Sequence, residues 1–124
     1  MIHSITNLGV TSPTTYKEIP LKTFKELPLR EELQKAITEM GFEETTAIQA
    51  EALPILLNQD TDFLGLAATG TGKTASFAIP LLQKIRKDQK GVQALILCPT
   101  RELALQVAGQ IDMLGKYSGI KSVS

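Results

Sequence analysis

Eight consecutive residues combine small side chains, two glycines, a lysine and a hydroxyl group in a pattern that suits phosphate chemistry. They are Ala67, Ala68, Thr69, Gly70, Thr71, Gly72, Lys73 and Thr74. A phosphate oxygen that leaves water needs new donors, and glycines let the main chain wrap closely enough to supply amide hydrogens. Lys73 adds a mobile cation for the outer phosphates, and the Thr74 hydroxyl can ligate Mg²⁺. The stretch therefore predicts a cradle for a triphosphate.

The motif is incomplete, and its surroundings decide how it is interpreted. The strict pattern GxxxxGK[ST] has glycine at its first position, where this chain has Ala67. A short apolar run at 63–66 predicts a strand before the loop, and an apolar stripe after Gly72 predicts a helix. Strand, loop and helix in this order favour a phosphate-binding loop at a helix N-terminus. The alternative is a flexible glycine-rich turn with an exposed lysine.

Composition and charge narrow the class of protein. The chain has 124 residues, 43% hydrophobic and 21% charged, which is typical of one globular domain with a modest core. Thirteen basic and thirteen acidic residues give zero net charge, so bulk charge favours neither nucleic acid nor an anionic membrane. The single cysteine, Cys98, excludes an internal disulfide and suits a reducing compartment. No apolar run reaches the roughly 18 residues of a membrane span and no signal peptide is visible, so we expect a cytoplasmic protein without a membrane partner.

Helical periodicity and capping signals predict four helices. Gly41 stands where a left-handed cap would end the first, and Pro54 should kink or restart the second because it supplies no amide hydrogen. The four helices are expected at 29–40, from a cap at Thr45 or Thr46, from near Gly72 to Ile85, and from about Thr100 to Leu114.

The order of strands and helices predicts the fold class. Apolar runs at 63–66 and 94–97 are typical of buried strands, and 120–124 looks like the opening of another strand. Strand, helix, strand implies a parallel crossover, so we expect an α/β fold with helices on both faces of a parallel sheet. Residues 1–20, rich in Ser, Thr, Asn and Pro, are expected to form a flexible arm, and 21–124 the domain.

Three motifs in order give the chain a resemblance to a known family. GFEETTAIQ at 41–49 is similar to an adenine-sensing Q motif, AATGTGKT at 67–74 to the phosphate loop A-x-T-G-x-G-K-T, and PTRELA at 99–104 to motif Ia. Together they resemble the DEAD-box ATP-dependent RNA helicases of superfamily 2. The resemblance covers residues 24–124 and implies a truncated RecA-like fold of the P-loop NTPase class.

The resemblance also implies ligands and site residues. ATP and Mg²⁺ would be bound by Phe24, Thr46, Gln49, Ala67, Ala68, Thr69, Gly70, Thr71, Gly72, Lys73 and Thr74, with Lys73 and Thr74 catalytic and the Thr74 hydroxyl on the metal. RNA would be contacted by Pro99, Thr100, Arg101 and Glu102. In that family, a second RecA-like domain of the same chain closes over nucleotide and RNA and bends one strand until short duplexes separate. ATP acts as a clamp, and its hydrolysis is coupled to this unwinding.

Adenine selection depends on residues that also have plainer interpretations. The amide of Gln49 offers a donor and an acceptor in one plane, which matches adenine and not guanine. Phe24 occupies the place of the family's isolated upstream aromatic and would stack on the base, whereas its residue type alone favours core. Thr45 stands where the family usually has proline, a change expected to loosen the turn before Gln49.

The PTRELA segment suits the backbone of a single strand of nucleic acid. A helix that starts at Thr100 has free amides, and Arg101 beside them can meet a phosphate without reading base identity. The alternative is an ordinary capped helix with Arg101 and Glu102 in solvent. A separate basic run is interrupted by Asp88 and lies near a helix C-terminus, so we interpret it as a solvated face. That run consists of Lys84, Arg86, Lys87 and Lys90.

Hydrolysis requires groups that this sequence does not supply. The acids after Thr74 are Asp88, Glu102 and Asp112, and none ends an apolar strand as a metal-holding acid should. The D-E-A-D signature is also absent. We therefore expect an N-terminal piece of a longer helicase that is inactive alone. The alternatives are another P-loop enzyme, such as a DNA helicase or nucleotide kinase, and a nucleotide-binding module without turnover.

Overall fold

The computed structural model describes His3–Ser4 and residues 20–124. Most of the arm predicted at 1–20 therefore lies outside the described residues. The order of elements is β1 (His3–Ser4), a 3-10 turn (Phe24–Glu26), α1 (Glu31–Glu39), α2 (Ala47–Asn58), β2 (Gly65–Leu66), α3 (Lys73–Lys84) and α4 (Arg101–Leu114). None of the helices in this part of the chain is long and apolar enough to cross a bilayer.

The four predicted helices are confirmed, and their ends follow from local chemistry. Helix α1 ends as expected, because Gly41 adopts φ +74° and the Phe42 amide donates to the Ile37 carbonyl at 3.2 Å. Helix α4 begins as expected, because the Thr100 hydroxyl oxygen accepts a hydrogen bond from the Leu103 amide at 3.2 Å.

Helix α2 departs from the prediction at its proline. Pro54 lies inside the continuous helix Ala47–Asn58, so the expected restart is wrong. A proline removes only its own amide from the helical ladder, and the residues on either side continue that ladder. The Pro54 carbonyl accepts a hydrogen bond from the Asn58 side chain at 2.8 Å.

One hydrophobic cluster joins the helices. Helices α3 and α4 bring their apolar stripes together, and α1 covers them with the 3-10 turn. The buried members are Phe24, Leu27, Leu33, Ile37, Leu53, Ala75, Ala78, Ile79, Leu82, Val107, Ile111 and Leu114. This core packs α3, which begins at the predicted phosphate loop, against α2 and α4.

The predicted parallel sheet is not formed among the described residues. Strand β2 pairs with β1 in antiparallel register, with His3 opposite Leu66 and Ser4 opposite Gly65. The strand predicted at 63–66 is thus shorter, and Leu66 is exposed rather than buried.

The segments 94–97 and 120–124 are not strands in this structure, so both strand predictions are wrong for the described residues. Leu95 is 78% exposed and Leu97 85% exposed, and Cys98 is half-buried. A strand needs a neighbour to complete its ladder of hydrogen bonds. No described residue offers one to 92–98.

Candidate functional site

The loop between β2 and α3 has the backbone that its glycines predict. Gly70 has φ +75° and Gly72 has φ +84°, a left-handed conformation that other residues rarely adopt. The Thr71 hydroxyl donates to the Ala68 carbonyl at 2.7 Å and so closes the turn. Ala68, Thr69 and Gly70 are exposed, so a ligand can reach the loop from solvent.

Helix α3 begins directly at the loop and presents its first amides. Gly72 is the N-cap residue, no side chain caps the helix, and the first amide bonded within it is that of Ser76, which donates to the Gly72 carbonyl at 3.2 Å. Among the described residues, the amides of Lys73, Thr74 and Ala75 have no acceptor. Uncapped amides and the positive end of the helix dipole together form a site for an anion.

Lys73 and Thr74 lie at the mouth of this site. The exposed Lys73 ammonium donates to the Ala67 carbonyl at 2.7 Å, across the loop from its own backbone. Thr74 is half-buried, and its hydroxyl has no hydrogen-bond partner in the part of the chain that the structure describes. A phosphate would therefore have to draw Lys73 away from Ala67, whereas the Thr74 hydroxyl is already available.

Gln49 connects the Q-like motif to the loop. Its side-chain oxygen accepts from the Thr46 amide at 2.9 Å, and its Nε2 donates to the Gly72 carbonyl at 3.2 Å. The residue is 3% exposed. Each amide atom can form a further hydrogen bond, since the oxygen has a second lone pair and the nitrogen a second hydrogen. The sequence placed Gln49 and Gly72 in separate motifs and gave no signal of this contact.

Gly72 is required here by space as well as by conformation. A Cβ atom at this position would lie 2.3 Å from Gln49 Nε2 and 3.2 Å from the Thr46 hydroxyl. Three of the residues predicted to hold nucleotide, Thr46, Gln49 and Gly72, therefore lie next to one another. At Gly70, by contrast, a Cβ atom would meet nothing within 4 Å.

Phe24 does not present a ring face to this site. It is 2% exposed and packs in the core, with its ring centroid 5.8 Å from that of Phe42. This burial agrees with the plainer interpretation of Phe24 as a core residue, because an apolar ring gains more from the core than from an open face. The stacking of Phe24 on adenine stays a prediction.

Thr45 holds the turn before Gln49 through two hydrogen bonds to the backbone of Lys22, and the loosening expected from the missing proline stays a prediction. The Thr45 amide donates to the Lys22 carbonyl at 2.8 Å, and its hydroxyl oxygen accepts from the Lys22 amide at 3.0 Å. Proline could form neither bond, because it has no amide hydrogen and no hydroxyl.

The predicted RNA contacts are exposed. Pro99, Thr100, Arg101 and Glu102 all face solvent, and neither Arg101 nor Glu102 forms an ion pair with a described residue. The N-terminus of α4 thus resembles that of α3, with the difference that Thr100 already uses its hydroxyl oxygen as a cap.

The basic run from Lys84 pairs with acidic side chains, which supports the interpretation of a solvated face. Lys84 meets Asp60 at 2.9 Å, Arg86 meets Asp88 at 3.0 Å and Lys87 meets Glu32 at 2.7 Å. In each pair the hydrogen bond from the cation is the main cause that lowers the pKa of the acid.

Asp88 and Asp112, two of the acids that follow the loop in sequence, bond to other parts of the described chain. Asp88 pairs with Arg86, and Asp112 accepts a hydrogen bond from the Ser122 hydroxyl at 2.6 Å. In residues 3–4 and 20–124 there is no group of three or more His, Cys, Asp or Glu side chains that could hold a metal ion.

The fold and the loop together define the class of P-loop proteins, in which a glycine-rich turn opens a helix. The DEAD/DEAH box helicase family model matches residues 46–124. The chain belongs to the DEAD/DEAH box helicase family.

Two curated relatives illustrate the match. The chain is 48% identical over 101 residues to the DEAD-box ATP-dependent RNA helicase CshA of Geobacillus kaustophilus, covering 82% of this chain and 21% of the relative. It is 47% identical over 114 residues to the ATP-dependent rRNA helicase RRP3 of Debaryomyces hansenii, covering 92% and 23%. The chain thus spans about a fifth of the length of these relatives.

Solved structures share the fold. A DEAD box protein from Methanococcus jannaschii superposes with a TM-score of 0.71 at 44% identity, covering 82% of this chain and 27% of that one. A Saccharomyces cerevisiae Dbp5 variant bound to RNA and ADP BeF3 gives 0.76 at 38% identity, covering 80% and 26%. The predicted RecA-like fold class is therefore confirmed.

Proposed function

We propose that residues 21–124 are the N-terminal portion of a RecA-like ATP-binding domain in an ATP-dependent RNA helicase. The single observation that carries the proposal is the contact between Gln49 Nε2 and the Gly72 carbonyl, because it places a base-reading amide against a phosphate loop. The family match and the named activity of the relatives support the same proposal.

The residues fit a nucleoside triphosphate. The free amides of Lys73, Thr74 and Ala75 would receive phosphate oxygens, and Lys73 would leave the Ala67 carbonyl to neutralise the outer phosphates. Gln49 would use its spare hydrogen and lone pair on the adenine edge. Bound Mg²⁺ would neutralise phosphate charge, and the unpartnered Thr74 hydroxyl is the group suited to ligate it.

RNA and a second RecA-like domain are the proposed partners. The Arg101 guanidinium and the first amides of α4 would meet backbone phosphates without reading base identity. The Dbp5 variant that superposes on the chain was solved with RNA, which supports this assignment. A metal-holding acid and an arginine for the transition state would have to come from outside the described residues, so we expect no RNA-stimulated hydrolysis from residues 1–124 alone. A cytoplasmic location is part of the proposal and rests on composition.

Substitution of Lys73 tests the proposal. Lys73→Ala should weaken the binding of ATP with Mg²⁺ by roughly 10- to 100-fold, the range for a hydrogen bond to a charged group. The fold should persist, because Lys73 is exposed and fills no core volume. Isothermal titration would measure the affinity, and far-ultraviolet circular dichroism would monitor the fold.

Lys84→Ala is the matched control, since Lys84 also lies on α3 but pairs with Asp60 at the other end of the helix. It should bind ATP as the unsubstituted chain does. Unchanged ATP affinity in Lys73→Ala would refute the proposed phosphate site.

A further inference from the structure

Thr45 is one of the few buried polar residues of the described chain. It is 2% exposed, and both its amide and its hydroxyl oxygen bond to the backbone of Lys22, at 2.8 and 3.0 Å. Two hydrogen bonds to one residue 23 positions earlier fix the distance between the two segments. A threonine that only filled space would not need this pairing.

The contact is the end of a short antiparallel pairing. The Phe24 amide donates to the Glu43 carbonyl at 3.0 Å, and Thr23 and Glu44 form a β-bridge between the two Thr45 bonds and the Phe24 bond. We call residues 22–24 and 43–45 the Thr45 clamp. The 3-10 turn that begins at Phe24 anchors the first strand of the clamp in the core.

The clamp leads directly to the base-reading amide. The residue after Thr45 is Thr46, whose amide donates to Gln49 Oε1 at 2.9 Å, while Gln49 Nε2 donates to the Gly72 carbonyl at 3.2 Å. A shift of Thr45 away from Lys22 would move the Thr46 amide, because the two residues share a peptide unit. It would therefore rotate the Gln49 side chain away from its present orientation.

We propose that Thr45 is a positioning residue that sets the base preference of Gln49 by holding the Thr46 amide in place. The inference rests on the proposed function, because base preference has meaning only if the site binds a nucleotide. At this turn, the Thr45 hydroxyl and amide would supply the rigidity that a proline ring supplies in the family pattern.

The test compares variants at position 45 in the 124-residue chain. Thr45→Val retains the amide bond to Lys22 but loses the hydroxyl, and it should reduce the preference for ATP over GTP by roughly 2- to 10-fold, the range of one neutral hydrogen bond. Thr45→Ser keeps both groups and should restore the preference. The measurement is the ratio of the dissociation constants for ATP and GTP with Mg²⁺, determined by isothermal titration.

Thr38→Val is the matched control. The Thr38 hydroxyl donates to the Gln34 carbonyl at 2.9 Å, but Thr38 is exposed on α1 and its side chain forms no hydrogen bond to the described residues of the clamp. Its substitution should leave the ratio of the dissociation constants for ATP and GTP unchanged. A purely structural role of Thr45 would lower stability in Thr45→Val without altering the ratio, and that result would overturn the inference.

Amide exchange in the unsubstituted chain provides a test that needs no variant to fold. The Lys22 amide should exchange more slowly than the Lys25 amide, which has no acceptor among the described residues. ATP should slow Lys22 exchange further, and GTP should not. Equal exchange at the two lysines would contradict the clamp.

Gln49→Ala separates the two proposals. If Gln49→Ala abolishes the ATP preference and Thr45→Val does not alter it, the inference about Thr45 is wrong and the proposed function stands. If the unsubstituted chain binds neither nucleotide, or if Gln49→Ala retains the preference, the base-reading role itself fails and the positioning role falls with it.

Discussion

Gly72→Ala probes the contact on which the proposed site depends. The added Cβ atom would lie 2.3 Å from Gln49 Nε2 and 3.1 Å from its Cδ, distances that the buried amide can relieve only by moving. That movement would break the bond to the Gly72 carbonyl and strain the bond from the Thr46 amide. Gly70 has a similar left-handed φ, and a Cβ atom added there would meet no atom within 4 Å. Gly70→Ala therefore measures the cost of the left-handed conformation alone.

Two contributions determine how much each variant lowers the free energy of unfolding. The left-handed conformation costs about 1–2 kcal/mol for a residue with a Cβ atom, and both variants share that cost. The loss of one or two hydrogen bonds adds about 0.5–1.5 kcal/mol each. We therefore expect Gly72→Ala to lower the free energy of unfolding by about 0.5–3 kcal/mol more than Gly70→Ala does.

Urea unfolding followed by circular dichroism would measure both variants. The double variant Gly72→Ala, Gln49→Ala should recover part of the difference, because removal of the amide also removes the clash. Equal losses at Gly70 and Gly72, or strictly additive losses in the double variant, would show that Gln49 does not contact the loop in solution.

Two further predictions concern the surface. Glu39 accepts hydrogen bonds from the Tyr117 hydroxyl and, at 2.9 Å, from Lys116, and these bonds lower its pKa from the ordinary value of 4.5. A lowered pKa stabilises the folded chain above pH 4.5 and loses that effect as the pH falls through the folded-state value. Glu39→Gln should therefore have a lower free energy of unfolding than the unsubstituted chain at neutral pH, and this difference should vanish in acid. An equal difference at neutral and acidic pH would exclude the ion pair as its cause. Leu97→Lys should change stability by less than about 0.5 kcal/mol because the side chain is exposed, whereas Leu82→Ala, in the core, should cost about 2–5 kcal/mol. A large loss for Leu97→Lys in thermal or urea unfolding would mean that the segment 92–98 is packed in solution.

The helices were predictable because their signals are local. Gly41, Gly72 and Thr100 end or begin helices through contacts within a few residues, and those contacts are fixed by residue type. Pro54 shows the limit of such signals, because helix α2 continues through it although the proline lacks an amide hydrogen. The balance between that cost and burial depends on packing, which a local pattern does not contain.

The strands were less predictable because their partners are distant in sequence. The apolar pattern of 94–97 identifies a segment that is able to pair, but it does not say whether a neighbour is present. The pairing of Gly65–Leu66 with His3–Ser4 joins segments about sixty residues apart and left no signal in either.

In the candidate site, too, the features fixed by local residue type were predictable and those fixed by distant contacts were not. The loop conformation at Gly70 and Gly72 was predictable from glycine itself. The burial of Phe24 agrees with its residue type, whereas the bond between Gln49 and Gly72 arises from the packing of α2 against α3 and was not predictable. Thr45 was visible as a departure from the family pattern, but its two hydrogen bonds to Lys22 were not, because Lys22 lies 23 positions earlier.

The Gly72 carbonyl accepts from Gln49 Nε2 and from the Ser76 amide, each at 3.2 Å. That carbonyl and the unbonded Lys73 amide belong to one planar peptide unit, and in a trans peptide they point in opposite directions. The base side and the phosphate side of the proposed site are therefore two ends of one planar peptide unit. A rotation that turned the carbonyl away from Gln49 and Ser76 would swing the Lys73 N–H by the same angle. If the proposed site is correct, a base that bound Gln49 would thereby also change the direction of the first phosphate donor.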